Sequence, residues 1–263
     1  MVNLTSQWSA SDYAANGAFV PALGDAALAL LNPQPGELIL DLGCGDGVLT
    51  ERIGTAGARA IGIDSSEAMV EAARARGVDA FVGDAETLDP ARETARFGRF
   101  DAIFSNAALH WMTAVDAVAA SAFAMLREGG RFVGEMGGAG NIATIRAALR
   151  AELEARGYKM PAEDPAWYPD PDSFAKVYCG AGFAELRAEL IERPTPLPAG
   201  IAGWVGTFRS GLLDSLMVPE FERDDLAAAV EARVEDKLRQ SDGSWRADYV
   251  RLRFWMKRPG LEN

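Results

Sequence analysis

Histidine is nearly missing from this sequence: His110 stands alone in 263 residues. A centre that binds metal through several imidazoles is thereby excluded. Cysteine is almost as scarce. Cys44 and Cys179 are too few for a disulfide framework and do not show zinc-site spacing, so no metal is expected. Positive charge is in deficit as well, with 26 Lys and Arg against 38 Asp and Glu, a formal net charge of −12, and arginines scattered without a basic run. Binding a phosphate backbone needs clustered cations, so a nucleic acid is not an expected partner. No apolar run approaches the ~18 residues of a membrane span, and the opening MVNLTSQWSASDY has neither a basic start nor an apolar core. No membrane association is expected, and the expected setting is the cytoplasm.

What is present is ordinary globular composition, 49% hydrophobic and 24% charged. The length suits one large α/β domain, or one domain carrying an insertion. Its organising stretch is LILDLGCGDG, Leu38 to Gly47. Apolar residues run into Asp41, and then Gly43, Gly45 and Gly47 alternate with single residues. A buried strand that ends in such a turn brings its backbone close to a ligand, an approach glycine permits. The helix expected from Val48 aims its first amides at the turn, which suits a polar or anionic group.

Around this turn the sequence alternates. Pro21 to Leu31 has helical spacing, and strands are expected at Glu37–Asp41, Arg59–Ile63, Val78–Val82, Phe100–Phe104 and Arg131–Glu135. Helices are expected at Val48–Ile53, at Glu67–Arg76 with Ser65 or Ser66 as cap, and from Thr113 to Arg127; the stretch between Asp84 and Phe100 reads as a polar connection. Alternating units of this length specify a mostly parallel sheet with helices on both faces. Beyond Gly140 the rhythm changes. Helices are expected over 141–156 and 172–180, a sixth strand at Phe183–Ile191, a long helical stretch over 199–240, and a last strand at Ala247–Met256. The expected division is an N-terminal flap and first helix over 1–35, a core formed by 36–193 and 242–263, and a helical cap over 194–241 inserted between the last two strands.

Asp41, Asp64 and Asp84 all fall at the carboxyl ends of expected neighbouring strands, where open α/β sheets bind ligands. Asp64 lies about 20 residues past the turn, a position suited to both hydroxyls of a ribose, and Asp84 with the Ala85 amide could read an adenine edge. An adenosine-bearing cofactor is implied. Dinucleotide binding favours G-x-G-x-x-G, and here the third glycine comes one residue early; the Lys-Ser/Thr pair of a P-loop is missing.

The order of the motifs DLGCGDG, GIDSSEAM, VGDAETL and FDAIFSNAALHW resembles the class I, Rossmann-like S-adenosylmethionine-dependent methyltransferases. WSASDYAANGAF, SNAALHW, WVGTFRSG and ADYVRLRF are similar to the small-molecule branch that includes trans-aconitate methyltransferase-like and malonyl-carrier-protein methyltransferase-like proteins. The resemblance implies a seven-stranded sheet and S-adenosylmethionine as cofactor. Position by position it gives Asp41, Gly43 and Gly45 to the methionine portion, Asp64 to the ribose, Ser65 and Met69 to the adenine surroundings, and Asp84 and Ala85 to the adenine amino group. It also gives Asn106 to the amino-acid portion near the methyl donor, and Trp8 and Tyr13 to a flap that closes on the cofactor.

His110 follows the fourth strand, within reach of a transferring methyl, as a base or as a group that positions the acceptor. Phe19, Trp167, Trp204, Phe208 and Arg209 are further candidates for the acceptor wall. The expected reaction is methyl transfer to a small organic acceptor at oxygen, a carboxylate or a hydroxyl. A carboxylate would need no base. The alternatives are a nicotinamide-dependent oxidoreductase and a non-catalytic S-adenosylmethionine-binding module; monomer and homodimer are both open.

Overall fold

The structure, a computed structural model, describes residues 24–161 and 165–260. Trp8, Tyr13 and Phe19 lie outside the described residues.

The first described helix, α1 (Asp25–Leu31), leads to β1 (Leu38–Leu42). Then follow α2 (Val48–Thr55), β2 (Arg59–Asp64), α3 (Glu67–Ala75), β3 (Asp79–Val82), α4 (Pro90–Phe97), β4 (Phe100–Asn106), a 3-10 turn (Leu109–Trp111), α5 (Val115–Met125) and β5 (Leu126–Gly137). The second part comprises α6 (Ala143–Ala155), α7 (Pro171–Gly180), β6 (Ala184–Glu192), β7 (Thr195–Pro196), α8 (Gly200–Phe208), α9 (Ser210–Ser215), α10 (Glu220–Leu238), β8 (Arg246–Ala247) and β9 (Val250–Lys257).

Seven strands form one sheet in the order β3-β2-β1-β4-β5-β9-β6, parallel except for β9, which runs antiparallel to both neighbours. The strands of the parallel half are apolar because both faces are covered. Alternate residues of β1 feed opposite layers: Ile39 joins Leu31, Ile53, Phe104 and Val133, while Leu40 and Leu42 join Ile103, Ala122, Phe132 and Phe174. From β1 the chain builds outward to β2 and β3, then returns to β4 on the other side of β1. That reversal opens a crevice at the carboxyl ends of β1 and β4.

Several expected elements differ. The polar connection before Phe100 contains α4, started by Asp89, whose carboxylate accepts the Ala91 N–H at 3.0 Å, with Pro90 in the first turn. Its low apolar content hid it from a periodicity reading. Helix α5 stops at Met125, before the expected Gly129-Gly130, and Thr113 does not cap it; the Thr113 hydroxyl donates to Glu86 instead. The expected long helical stretch is three helices, broken at Arg209 and again where Met217 takes φ +55° ahead of Pro219. The last expected strand is split, β8 pairing with β7 and β9 joining the main sheet.

A second apolar cluster lies outside the sheet. Trp204, Val205, Leu212, Leu213, Leu226, Val230 and Val234 of α8 to α10 pack with Ile145, Leu149 and Leu153 of α6. Helix α6 precedes the proline-rich segment at which the cap was expected to begin, yet its apolar stripe is part of this cluster. Glu152 of α6 ties the helices together through Arg156 at 3.0 Å and Arg233 of α10 at 2.6 Å.

Candidate active site

The glycine turn is shaped by three different constraints. Gly43 (φ +76°) has no room: an added Cβ would lie 2.3 Å from the Ala108 Cβ. Gly47 (φ +79°) lets α3 approach, since a Cβ there would lie 2.8 Å from that of Ala73. Gly45 (φ +56°) faces open space. Only Gly45 therefore keeps room free for a ligand, whereas Gly43 and Gly47 serve close packing. The amides of Gly43 and Cys44 both donate to the Ile63 carbonyl, at 2.8 and 3.0 Å, which pins the turn to the end of β2.

A cleft of about 790 Å³ opens beside this turn, at the crevice between β1 and β4. Gly43, Gly45, Asp64, Ser65, Met69, Asp84, Ala85 and Asn106 line it, together with Ser66, Glu86 and Met112. The Asp64 carboxylate accepts the Gly45 N–H and the Ser66 N–H, each at 2.9 Å, so backbone donors from both sides fix its position. Burial raises its pKa against those hydrogen bonds. Asp84 accepts the Glu86 N–H at 2.9 Å, and Glu86 in turn accepts the Ala114 N–H at 2.8 Å, fastening the loop after β4 across the cleft. Ser66, not Ser65, caps α3.

Asp41 is placed differently. It is 2% exposed behind the turn, does not line the cleft, and accepts the Thr50 hydroxyl at 2.6 Å. Burial pushes its carboxyl up to about 7; the Thr50 hydrogen bond works against this and the nearby Asp64 adds to it.

The cleft meets a second cavity, of about 400 Å³, at Ala107 and Trp111, which line both. Ala107 holds φ +57° at this junction, and its N–H donates to the Glu135 carbonyl at 2.7 Å. The second cavity is walled by His110, Asn141, Ile142, Tyr168, Trp204, Phe208, Tyr249 and Arg251. Trp167 does not line it. Its ring stacks on Phe174 at 6.0 Å in the sheet core, and the neighbouring Tyr168 takes the wall position, stacked on His110 at 5.5 Å. Trp204 is held by a hydrogen bond from its Nε1 to the Tyr249 hydroxyl at 2.6 Å.

His110 is buried, and its pKa is held well below the usual imidazole range, by burial first and then by Arg251 and Arg209. The ring is therefore neutral. Its Nδ1 accepts the Gly137 N–H at 3.3 Å, which leaves the ring proton on Nε2. This arrangement makes His110 a hydrogen-bond donor to anything beside Nε2. An added Cβ on Gly137 would fall 2.5 Å from Tyr168 and 2.7 Å from Asn141, so the bare backbone here is what lets the wall close.

Tyr249, Asn141, Glu86 and Arg251 were not singled out in the sequence. A signal for Arg251 was available: arginine at alternate positions of an interior strand must find partners. In the sheet register Arg253 faces Glu135 and Glu189, whereas Arg251 faces Gly137 and Ile191.

A family model described as "Methyltransferase domain" matches residues 40–134. An uncharacterized methyltransferase of Schizosaccharomyces pombe is 35% identical over 254 residues, 94% of this chain and 96% of its own. A trans-aconitate 2-methyltransferase of Mycolicibacterium gilvum is 49% identical over a shorter span of 76 residues, 28% of each chain. Among solved structures, phosphoethanolamine N-methyltransferase 2 of Haemonchus contortus, in complex with phosphomonomethylethanolamine and S-adenosylhomocysteine, aligns with a TM-score of 0.55 at 17% identity, over 90% of this chain and 53% of that one. The last likeness is one of fold.

Proposed function

We propose, for a chain that belongs to the class I S-adenosylmethionine-dependent methyltransferases, that the methyl group passes to an oxygen atom of a small organic acceptor held in the cavity beyond Ala107 and Trp111. When bound in the cleft, S-adenosylmethionine supplies a methyl group on an electrophilic sulfonium. Gly45 leaves room for it, Asp64 would present its remaining lone pairs to ribose hydroxyls, and Asp84 and Ala85, which line the same cleft, would read an adenine edge.

One observation carries the choice of oxygen: the cavity wall donates hydrogen bonds and offers no base. His110 has its Nδ1 taken by Gly137 and its proton on Nε2, so it positions an acceptor oxygen and removes no proton. An amine acceptor would arrive as a cation and meet Arg251 in the wall. Catalysis on this reading is alignment and exclusion of water by the aromatic walls, with no covalent intermediate.

The test is incubation of the protein with methyl-labelled S-adenosylmethionine and the small-molecule fraction of a cell extract. Label is expected in a low-mass product, bonded to oxygen. Label on nitrogen, or no binding of S-adenosylmethionine by calorimetry, overturns the reading.

A further inference from the structure

Resting on the reading of the cleft as the donor's seat and the cavity as the acceptor's, we infer that Glu86 is a positioning residue. It carries occupancy of the cleft to the His110–Trp111 wall of the cavity by gripping the segment that bears both residues.

The grip has two ends. At one, the loop after β3 is tied down by its own backbone: the Gly83 N–H donates to the Asp64 carbonyl at 2.9 Å and the Thr87 N–H to the Asp84 carbonyl at 3.0 Å. The Asp84 carboxylate accepts the Glu86 N–H. Asp84, Ala85 and Glu86 all line the cleft, so a ligand there bears on the residues that aim the Glu86 side chain. At the other end, one carboxylate oxygen of Glu86 accepts the Ala114 N–H at 2.8 Å and the Thr113 hydroxyl at 3.3 Å. Ala114 stands at the N-cap of α5, and its methyl group cannot cap. The carboxylate that satisfies the amide at this helix start comes from 28 residues away.

Residues 107–113 bridge from the end of β4 to this anchored point. They carry the whole junction: Ala107 and Trp111 line both spaces, Met112 the cleft and His110 the cavity. The sheet holds their first end, where β4 pairs with β1 and β5, and Glu86 holds the other. Between them the 3-10 turn is closed by the Trp111 N–H on the Ala108 carbonyl at 2.9 Å and the Met112 N–H on the Leu109 carbonyl at 3.1 Å, so it moves as one piece. The His110 carbonyl accepts the Trp167 N–H at 2.8 Å. Trp167 lines neither space, so this hydrogen bond senses the turn from outside both.

A carboxylate at a helix start is by itself a matter of stability. A local cap would hold α5 whether or not the cleft were filled, whereas Glu86 holds it through a loop that a bound donor touches. Glu86 is only partly buried, so in the empty cleft water competes for its carboxylate. A donor that fixes Asp84 and Ala85 removes freedom from the arm before the grip is made, and so favours the grip. Donor binding then steadies His110 and Trp111 ahead of the acceptor, and by linkage a bound acceptor strengthens the hold on the donor.

The experiment is hydrogen–deuterium exchange at the Trp167 amide, with and without S-adenosylhomocysteine, at saturation set by calorimetry for each variant. In the wild type S-adenosylhomocysteine should slow this exchange at least about threefold. Glu86→Ala should abolish the slowing, and Glu86→Gln, which keeps an accepting oxygen, should retain part of it. Ala114→Pro removes the accepted N–H instead and suits the φ of −79° at that position. It too should abolish the slowing, which tests the contact from its other end should Glu86→Ala fail to fold. Adding Ala114→Ser to Glu86→Ala gives α5 a cap of its own, and should recover the melting temperature without recovering the slowing. Three results overturn the inference: no slowing in the wild type with S-adenosylhomocysteine bound, wild-type slowing in Glu86→Ala or Ala114→Pro, or slowing restored by Ala114→Ser. A wild type that binds no S-adenosylhomocysteine overturns the reading of the cleft first, and the inference with it.

Discussion

The three glycines of the turn are chemically identical and physically distinct, which makes them separable by mutation. Gly45→Ala puts a methyl group into ligand space and costs about 1 kcal/mol of stability through its positive φ. It should weaken S-adenosylhomocysteine binding at least tenfold by calorimetry while the protein still folds. Gly43→Ala collides with Ala108 and should instead lower the melting temperature by several degrees. Asp64→Ala removes the carboxylate that organises Gly45 and Ser66, and should reduce cofactor binding below detection in the same assay. His110→Gln retains a polar group at the wall and should leave cofactor affinity at the wild-type value, with its effect confined to turnover. Much of this was legible in the sequence, because motif spacing around the turn and Asp64 is local. The separate reasons for the glycines were not, since they depend on Ala73 and Ala108, which lie 26 and 65 residues further on and come close only in the fold.

At the scale of elements, the cleft and the cavity draw most of their lining from different structures. The cleft is built from the ends of β1, β2 and β4 and the segment after β3, while the cavity takes residues from the turn after β4, the start of α6, the segment before α7, α8 and the start of β9. The parallel strands were readable because burial on both faces demands unbroken apolar runs. Helix α4 was not readable because it packs only a narrow face, and the three helices of α8 to α10 read as one because helical periodicity continues across a break. The packing of α6 against α10 is a prediction at this scale. Leu149 and Val230 are both fully or nearly buried in that second cluster, so Leu149→Ala should cost about 2–5 kcal/mol in chemical denaturation. Activity should fall more than cofactor binding, because the cleft does not include α6.

For the whole molecule the informative variable is pH. The Asp41 carboxyl is raised in the folded protein to about 7 from an ordinary value of 3.8. Between those values the folded state keeps a proton that the unfolded chain has released, so stability falls as pH rises through this window and levels off above it. The difference of about 3 units corresponds to about 4 kcal/mol at most. Thermal melts of ligand-free protein should therefore show wild type losing stability from pH 5 to pH 8 more steeply than Asp41→Asn. Equal slopes would show that Asp41 is already ionised at pH 5. His110 acts in the other direction: its lowered pKa means stability is lost as pH falls below about 6.5, when the unfolded chain takes up a proton that the buried ring refuses.

The meeting of two cavities at Ala107 and Trp111 also has a consequence for divergence. Apart from these two shared positions, the residues lining the cleft and those lining the cavity do not overlap. The family match over residues 40–134 covers the whole lining of the cleft and stops before α6, α8 to α10 and β9. On the proposed reading, acceptor preference can therefore drift through the cavity residues beyond β5, while His110 and the cleft residues stay within the matched first half. A chimera joined just after β5 should keep the cleft and the His110 wall of its first parent and take the remaining cavity walls from the second, so its acceptor preference should shift toward the second parent.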